Sequence, residues 1–168
     1  YYVSEVIQQK LSMTLQEKRN FLAILDEYSK PENRIYRYNF YYDNCTTRAR
    51  DVIVKAMEGK VEYLSWKNKQ ENETFRDLIH SKNADYPWCR WGNDFLLGVG
   101  SDAKMTHAER QFIPEMLEAD FDSAIVILPN GAEKPLVEST SILLPAGQSM
   151  AEPMVGFPLS PEACSVLF

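Results

Sequence analysis

Apolar residues recur at helical spacing from Leu15 through Phe21, Leu22 and Leu25 to Tyr28. They predict a helix opened by the capping box Thr14-Leu15-Gln16-Glu17 and stopped at Lys30-Pro31. The pattern then changes to strict alternation. Tyr36, Tyr38, Phe40 and Tyr42 fall on one side of an extended strand, with Arg37 and Asn39 on the other, which predicts an aromatic strand packed on the core. Asp43-Asn44-Cys45-Thr46-Thr47 follows, rich in N-cap residue types, and Ala49 to Glu58 reads as a helix closed by Gly59. Further helices are expected from about Glu73 to Ser81 and from Trp88 to Leu97, the latter ended by Gly98 and Gly100. A second capping box, Thr106-His107-Ala108-Glu109, opens a helix towards Leu117. Ala124 to Leu128, the turn Pro129-Asn130-Gly131 and Lys134 to Leu144 predict a β-hairpin.

These elements add up to a helix-rich α+β fold in one domain, with the aromatic strand leading into the Cys45 helix and a β-hairpin near 124–144. Residues 1–144 form the globular domain, and 145–168, rich in Pro, Ser and Gly, an irregular tail. A chain of 168 residues fits one core. Its 45% hydrophobic and 25% charged content is that of a packed globule. The net charge of −6, from 24 acidic and 18 basic side chains, would repel a phosphate backbone, so no nucleic-acid partner is expected. No apolar run of 18 residues is present to span a bilayer. The chain opens at Tyr1 without an initiator Met or signal peptide and stops at Ser165-Val166-Leu167-Phe168, within an apolar stretch. It is read as a fragment of a longer protein.

Cysteine carries the chemistry. Cys45, Cys89 and Cys164 cannot all pair within one chain, and no C-x-x-C spacing is present for a structural zinc. Cys45 falls at a strand-to-helix junction, where backbone N–H groups favour a thiolate. Papain-like hydrolases place their nucleophile in this way and take a His from a neighbouring strand as base. A cysteine at a helix start is equally a small buried hydrophobe, and the junction alone leaves both roles open.

The block Glu32-Asn33-Arg34-Ile35-Tyr36-Arg37-Tyr38-Asn39-Phe40-Tyr41-Tyr42-Asp43-Asn44-Cys45-Thr46-Thr47-Arg48 closely resembles the signature of the Lnb N-terminal periplasmic domain family. Trp88 to Asp102, Phe112-Ile113-Pro114 through Leu117 and Pro135-Leu136-Val137 resemble it as well. The family is similar in layout to circularly permuted NlpC-type, papain-like hydrolases, in which a His-bearing segment precedes an Asn-Cys segment. The resemblance implies an extracytoplasmic location, membrane helices downstream, Cys45 as nucleophile and Asn44 as its neighbour in the motif. The family's upstream Gly-His segment has no match here. His107 sits inside a capping box as a solvated first-turn residue, and His80 follows an apolar helix stripe in a surface or core role. The fragment therefore carries half a site and is expected to show no hydrolase turnover by itself.

The remaining residues have plainer readings. Arg48, with Arg50, is placed to bind a substrate carboxylate or to pair with Asp43 or Asp51. Asp43, Asp94 and Asp102 lack the tight spacing of a metal site, and no metal or other cofactor is expected. Trp88 and Trp91, around Cys89 and Arg90, are expected in the core or lining a groove. Two functions follow, beside a structural or assembly role in a membrane protein. One is a cell-envelope cysteine hydrolase or amidase, with Cys45 as nucleophile, helix amides as oxyanion donors and a cell-wall or peptide substrate. The other is a non-catalytic binding or accessory module of a membrane-anchored protein. Partners are then the missing N-terminal segment of the same protein, and a membrane only through segments outside these residues. If that segment docks near Cys45, an apolar patch built from Tyr36, Tyr38 and Phe40 is expected beside it.

Overall fold

A computed structural model of the chain describes residues 5–66, 72–145, 160, 161 and 164. The fold is α+β, with helices dominating. In chain order the elements are β1 (Val6–Leu11), α1 (Leu15–Ser29), α2 (Cys45–Ala56), β2 (Lys60–Tyr63), α3 (Phe75–Lys82), α4 (Pro87–Leu97), α5 (His107–Arg110), α6 (Pro114–Asp122), β3 (Ala124–Ile127), β4 (Glu133–Pro135) and β5 (Val137–Leu144). Among the described residues two antiparallel sheets form, one of β1 and β5, the other of β2, β3 and β4 in that order. The expected tail of 145–168 lies almost wholly outside the described residues.

Local signals positioned most helices. Thr14 accepts the Glu17 amide at 3.1 Å while the Glu17 carboxylate accepts the Thr14 amide at 2.8 Å, so the capping box forms as read. Thr74 with Asp77 and Thr106 with Glu109 repeat the device at α3 and α5. Gly98 ends α4 at φ +63, a left-handed conformation that a side chain would strain. The helix from Thr106 does not run to Leu117. It stops at Arg110, and a new helix starts with Pro114 in its first turn, because Pro has no N–H to continue the earlier one.

Three further expectations are corrected. Residues 35–42 form no strand. They run irregularly into a turn held by reciprocal hydrogen bonds of 3.0 Å between the backbones of Asn39 and Asp43. Asn39 Oδ1 accepts the Tyr41 and Tyr42 amides within that turn. Alternation alone cannot make a strand without a partner edge, and among the described residues no strand pairs with this segment. Gly59 is not a left-handed cap of α2, which ends at an extended Met57. Gly59 is instead required because an added Cβ would sit 2.3 Å from the Ile127 carbonyl oxygen, where β2 enters its pairing with β3. The hairpin is shorter than read, with β3 pairing only Glu133–Pro135 across the Asn130-Gly131 turn. The chain then leaves that sheet at the buried Leu136, and β5 pairs with β1, an element the sequence pattern had not marked.

Two apolar clusters stand side by side. Met57, Leu117, Phe121, Ala124, Val126, Leu136 and Val137 form one, between α2, α6 and the three-stranded sheet. Phe75, Leu78, Ile79, Met105 and Phe112 form the other, around α3. On the far side of the first, Glu17 is fully buried. Its Oε2 accepts from Lys134 Nζ at 2.5 Å and its Oε1 from the Glu58 amide at 3.2 Å. Lys134 also donates to the Ser12 carbonyl at 2.8 Å, so one carboxylate ties α1, the end of α2, β4 and the β1–α1 connection together.

Burial raises the Glu17 pKa, but the Lys134 ammonium and the amides of Thr14 and Glu58 outweigh it and hold the group below 4.5. A depressed carboxylate contributes stability that is complete above its unfolded value and lost as pH falls through the folded one. Glu17→Gln should therefore destabilise the domain by about 3 kcal/mol near neutral pH, leaving Lys134 without its counter-charge. The gap between wild type and variant in urea titrations should narrow as pH falls below 4.5. A gap that stays constant with pH would mean that the pair contributes only packing.

Candidate functional site

The turn at 39–43 delivers Asn44 to the start of α2. Its side-chain oxygen accepts the Thr46 and Thr47 amides, each at 2.9 Å, and its own amide donates to Thr47 Oγ1 at 2.9 Å. The carboxamide nitrogen donates to two carbonyls, Phe40 at 3.0 Å and Phe112 at 2.8 Å. With only 4% of its surface exposed, Asn44 is a saturated structural hub. It caps the helix and fastens its N-terminus to the chain just ahead of α6.

Cys45 is the first residue of α2, as the cap-rich run predicts, and it is exposed. It opens onto a cavity of about 400 Å³ between α2, α6 and β1. Ile53, Pro114, Leu117 and Phe121 make that cavity largely apolar, and Gln9 and Glu118 stand at its polar side. Gln9 Nε2 donates to the Glu118 carbonyl at 2.9 Å, which holds β1 against α6 and closes the cavity on that side. No local signal marks this wall, since Gln9 and Glu118 lie 109 residues apart.

The first turn of α2 offers fewer free donors than expected. The Thr46 and Thr47 amides serve Asn44, and the Arg48 amide serves the Asn44 carbonyl at 3.0 Å, which leaves the Cys45 amide for an incoming oxyanion. Arg48 is engaged as well. Its guanidinium grips Asp43 through two hydrogen bonds, 2.7 and 3.0 Å, and lies 3.3 Å over the Tyr36 ring. That contact holds the Asp43 carboxyl below its usual range. Arg50 pairs with Asp51 at 2.7 Å and donates to the Ala108 carbonyl at 3.1 Å, bracing α2 on α5.

The other candidates lie apart from Cys45. His80 Nε2 is 2.6 Å from Asp94, whose carboxylate also meets Arg76 at 2.5 Å, and Arg76 reaches Asp102 at 2.6 Å. Asp43, Asp94 and Asp102 are thus arginine partners. His107 is not solvated. It is 8% exposed in the first turn of α5, since that turn packs inward beside Arg50. Neither histidine lines the Cys45 cavity. Trp91 is at the surface rather than in the core, 57% exposed and stacked on Phe95 at 6.4 Å. Tyr36, Tyr38 and Phe40 are all partly exposed, but none lines the cavity, and the inward ring of their segment is Tyr41, 4.4 Å from Phe75.

Asn44→Ala should cost about 3 kcal/mol, because it strips the cap and leaves the Phe40 and Phe112 carbonyls without a donor. Asn44→Ser keeps a cap acceptor and loses only the donors, so chemical denaturation should place it between Ala and wild type. Equal losses for both would show that the Phe112 bond dominates.

Residues 1–81 match the family described as the Lnb N-terminal periplasmic domain. No curated protein and no solved structure matches the chain. Among the described residues no helix is long and apolar enough to cross a membrane. The matched stretch holds Asn44, Cys45, Arg48 and all of α2. Over residues 1–81, just under half of its 168 residues, the chain is similar to the Lnb N-terminal periplasmic domain family.

Proposed function

We propose that this periplasmic domain carries the nucleophile of a papain-like cysteine hydrolase or amidase of the cell envelope, with Cys45 as that nucleophile. The observation that carries the reading is the placement of Cys45, exposed on the first residue of α2 at the mouth of an apolar cavity. A thiolate there has the helix N-terminus behind it and room for an acyl group in front.

The Cys45 sulfur adds to the carbonyl carbon, and the oxyanion that forms takes the Cys45 amide as a donor. Collapse expels the leaving amine, which needs a proton, and a thioester remains. Water then attacks the thioester, releasing the acid and restoring the thiol. Neither His80 nor His107 lines the cavity, so the proton carrier for both steps is a group other than these two. Ile53, Pro114, Leu117 and Phe121 favour a substrate whose group beside the scissile bond is apolar. Asn44 and Arg48 position the helix and the turn and stay off the substrate, which is how their hydrogen bonds are used. The same two engagements favour the second reading, a non-catalytic envelope module in which the motif serves folding alone.

Cys89 is also exposed and serves as an internal reference. Iodoacetamide at mildly acidic pH, followed by mass spectrometry of peptides, should label Cys45 at least about tenfold faster than Cys89. The chain by itself should not turn over ester or amide substrates. Equal labelling rates at the two cysteines would remove the hydrolase reading and leave the accessory module.

A further inference from the structure

Helix α4 and the turn behind it are built inside out. No residue of α4 is buried, although the helix carries Trp88, Trp91, Phe95, Leu96 and Leu97. Its polar side is fixed to the body, where Asp94 meets Arg76 and His80, and Arg76 also donates to the Gly98 carbonyl at 2.8 Å. Leu97 packs on the α3 cluster. The opposite side faces outward. Trp88, Trp91 and Phe95 form a ladder with ring centroids 6.1 and 6.4 Å apart. Beyond the ladder, Phe95, Leu96 and Val99 are 83%, 82% and 88% exposed. Exposure that high describes a protruding knob, not a groove. An added Cβ at Gly92, Gly98 or Gly100 would meet nothing within 4 Å, so the knob has open space around it.

We infer that this knob is an interfacial membrane anchor, which inserts Phe95, Leu96 and Val99 among lipid acyl chains and sets Trp88 and Trp91 at headgroup level. Three features favour a bilayer over a protein surface. The first is shape, because fluid acyl chains accept a convex apolar tip that a protein could receive only in a matching pocket. The second is the order of side chains, with indoles behind a fully apolar tip, as at membrane–water boundaries. The third is charge. The chain carries −6 overall, but between Tyr86 and Ser101 the only charged side chains are Arg90 and Asp94, which sum to zero, and Asp94 is held by Arg76. The tip is therefore electroneutral on an acidic protein and meets either zwitterionic or anionic lipid without repulsion. The exposed side chains present on the order of 600 Å² of apolar surface, short of the roughly 800 Å² per partner of a standard protein interface. The inference is independent of the chemistry at Cys45.

The test is flotation of the chain with vesicles of phosphatidylcholine, alone and mixed with phosphatidylglycerol, at low and high salt. Binding to both compositions with little salt dependence is expected, with a blue shift of tryptophan emission. The variant Phe95→Ser/Leu96→Ser/Val99→Ser should keep the far-ultraviolet circular dichroism of the wild type and lose at least about tenfold in partitioning. Leu15→Ser/Leu22→Ser, on the exposed side of α1, should bind as the wild type does. No binding by the wild type would overturn the inference. So would equal loss in the α1 variant, binding confined to anionic vesicles and abolished by salt, or a change from dimer to monomer in the triple variant with partitioning unchanged.

Discussion

The position of Cys45 depends on one carboxamide. Asn44 is nearly enclosed and uses both ends of its side chain, the oxygen on two amides of α2 and the nitrogen on two carbonyls from separate segments. Few side chains can do this. Aspartate would supply the acceptor but not the donors, and serine or threonine could cap the helix but could not also reach two carbonyls. The bond to the Phe112 carbonyl matters most for the site, because it fixes α2 against the segment that becomes α6 two residues later. The cavity in front of Cys45 is the space between those two helices. A change at Asn44 therefore alters the shape of the cavity as well as the start of the helix.

Much of the helical framework was legible in the sequence, because a capping box is local and uses up its own donors. Thr14 with Glu17 and Thr106 with Glu109 are where the pattern places them, and the cap-rich run before Ala49 does start a helix. The aromatic stretch departs from its alternating pattern for an equally physical reason. Alternating rings specify two faces only if a neighbouring strand fixes the backbone extended, and here Asn39 and Asp43 close a turn instead. That turn reverses the expected order of burial, with Tyr41 directed to Phe75 and Phe112 while Tyr38 and Tyr42 are exposed. Strand β1 has no period-two signal in Val6–Leu11, the alternation of β2 (Lys60-Val61-Glu62-Tyr63) spans only four residues, and both are specified by partners far along the chain.

The candidate site was legible in its residue types and opaque in its roles. Asn44, Cys45 and Arg48 are adjacent in the motif, yet only Cys45 faces the cavity. Arg48 turns back onto Asp43 and Tyr36, which closes the preceding turn and sets the angle at which the chain enters α2. The opposite wall comes from Gln9 and α6, and no spacing rule links residues so distant in sequence. A local motif can thus name the reacting atom, but the space in front of it belongs to the tertiary fold.

The distribution of apolar side chains explains why polar contacts carry so much of this structure. Leu15 and Leu22 on α1 and Phe95, Leu96 and Val99 around α4 are turned to solvent, so among the described residues two clusters of seven and five buried residues do the apolar work. Clusters of this size leave their relative placement underdetermined, since hydrophobic contact has no direction. Directional groups supply it. Asn44 and Arg50 tie α2 to the α5–α6 segment, and Glu17 with Lys134 ties α1 to the second sheet. Each tie is a single side chain joining elements far apart in sequence, so losing one frees a whole element where losing a core methyl would only loosen packing. The same economy leaves apolar surface outside the core, and α4, whose polar face alone is tied down, keeps its outward face available for contact beyond the domain.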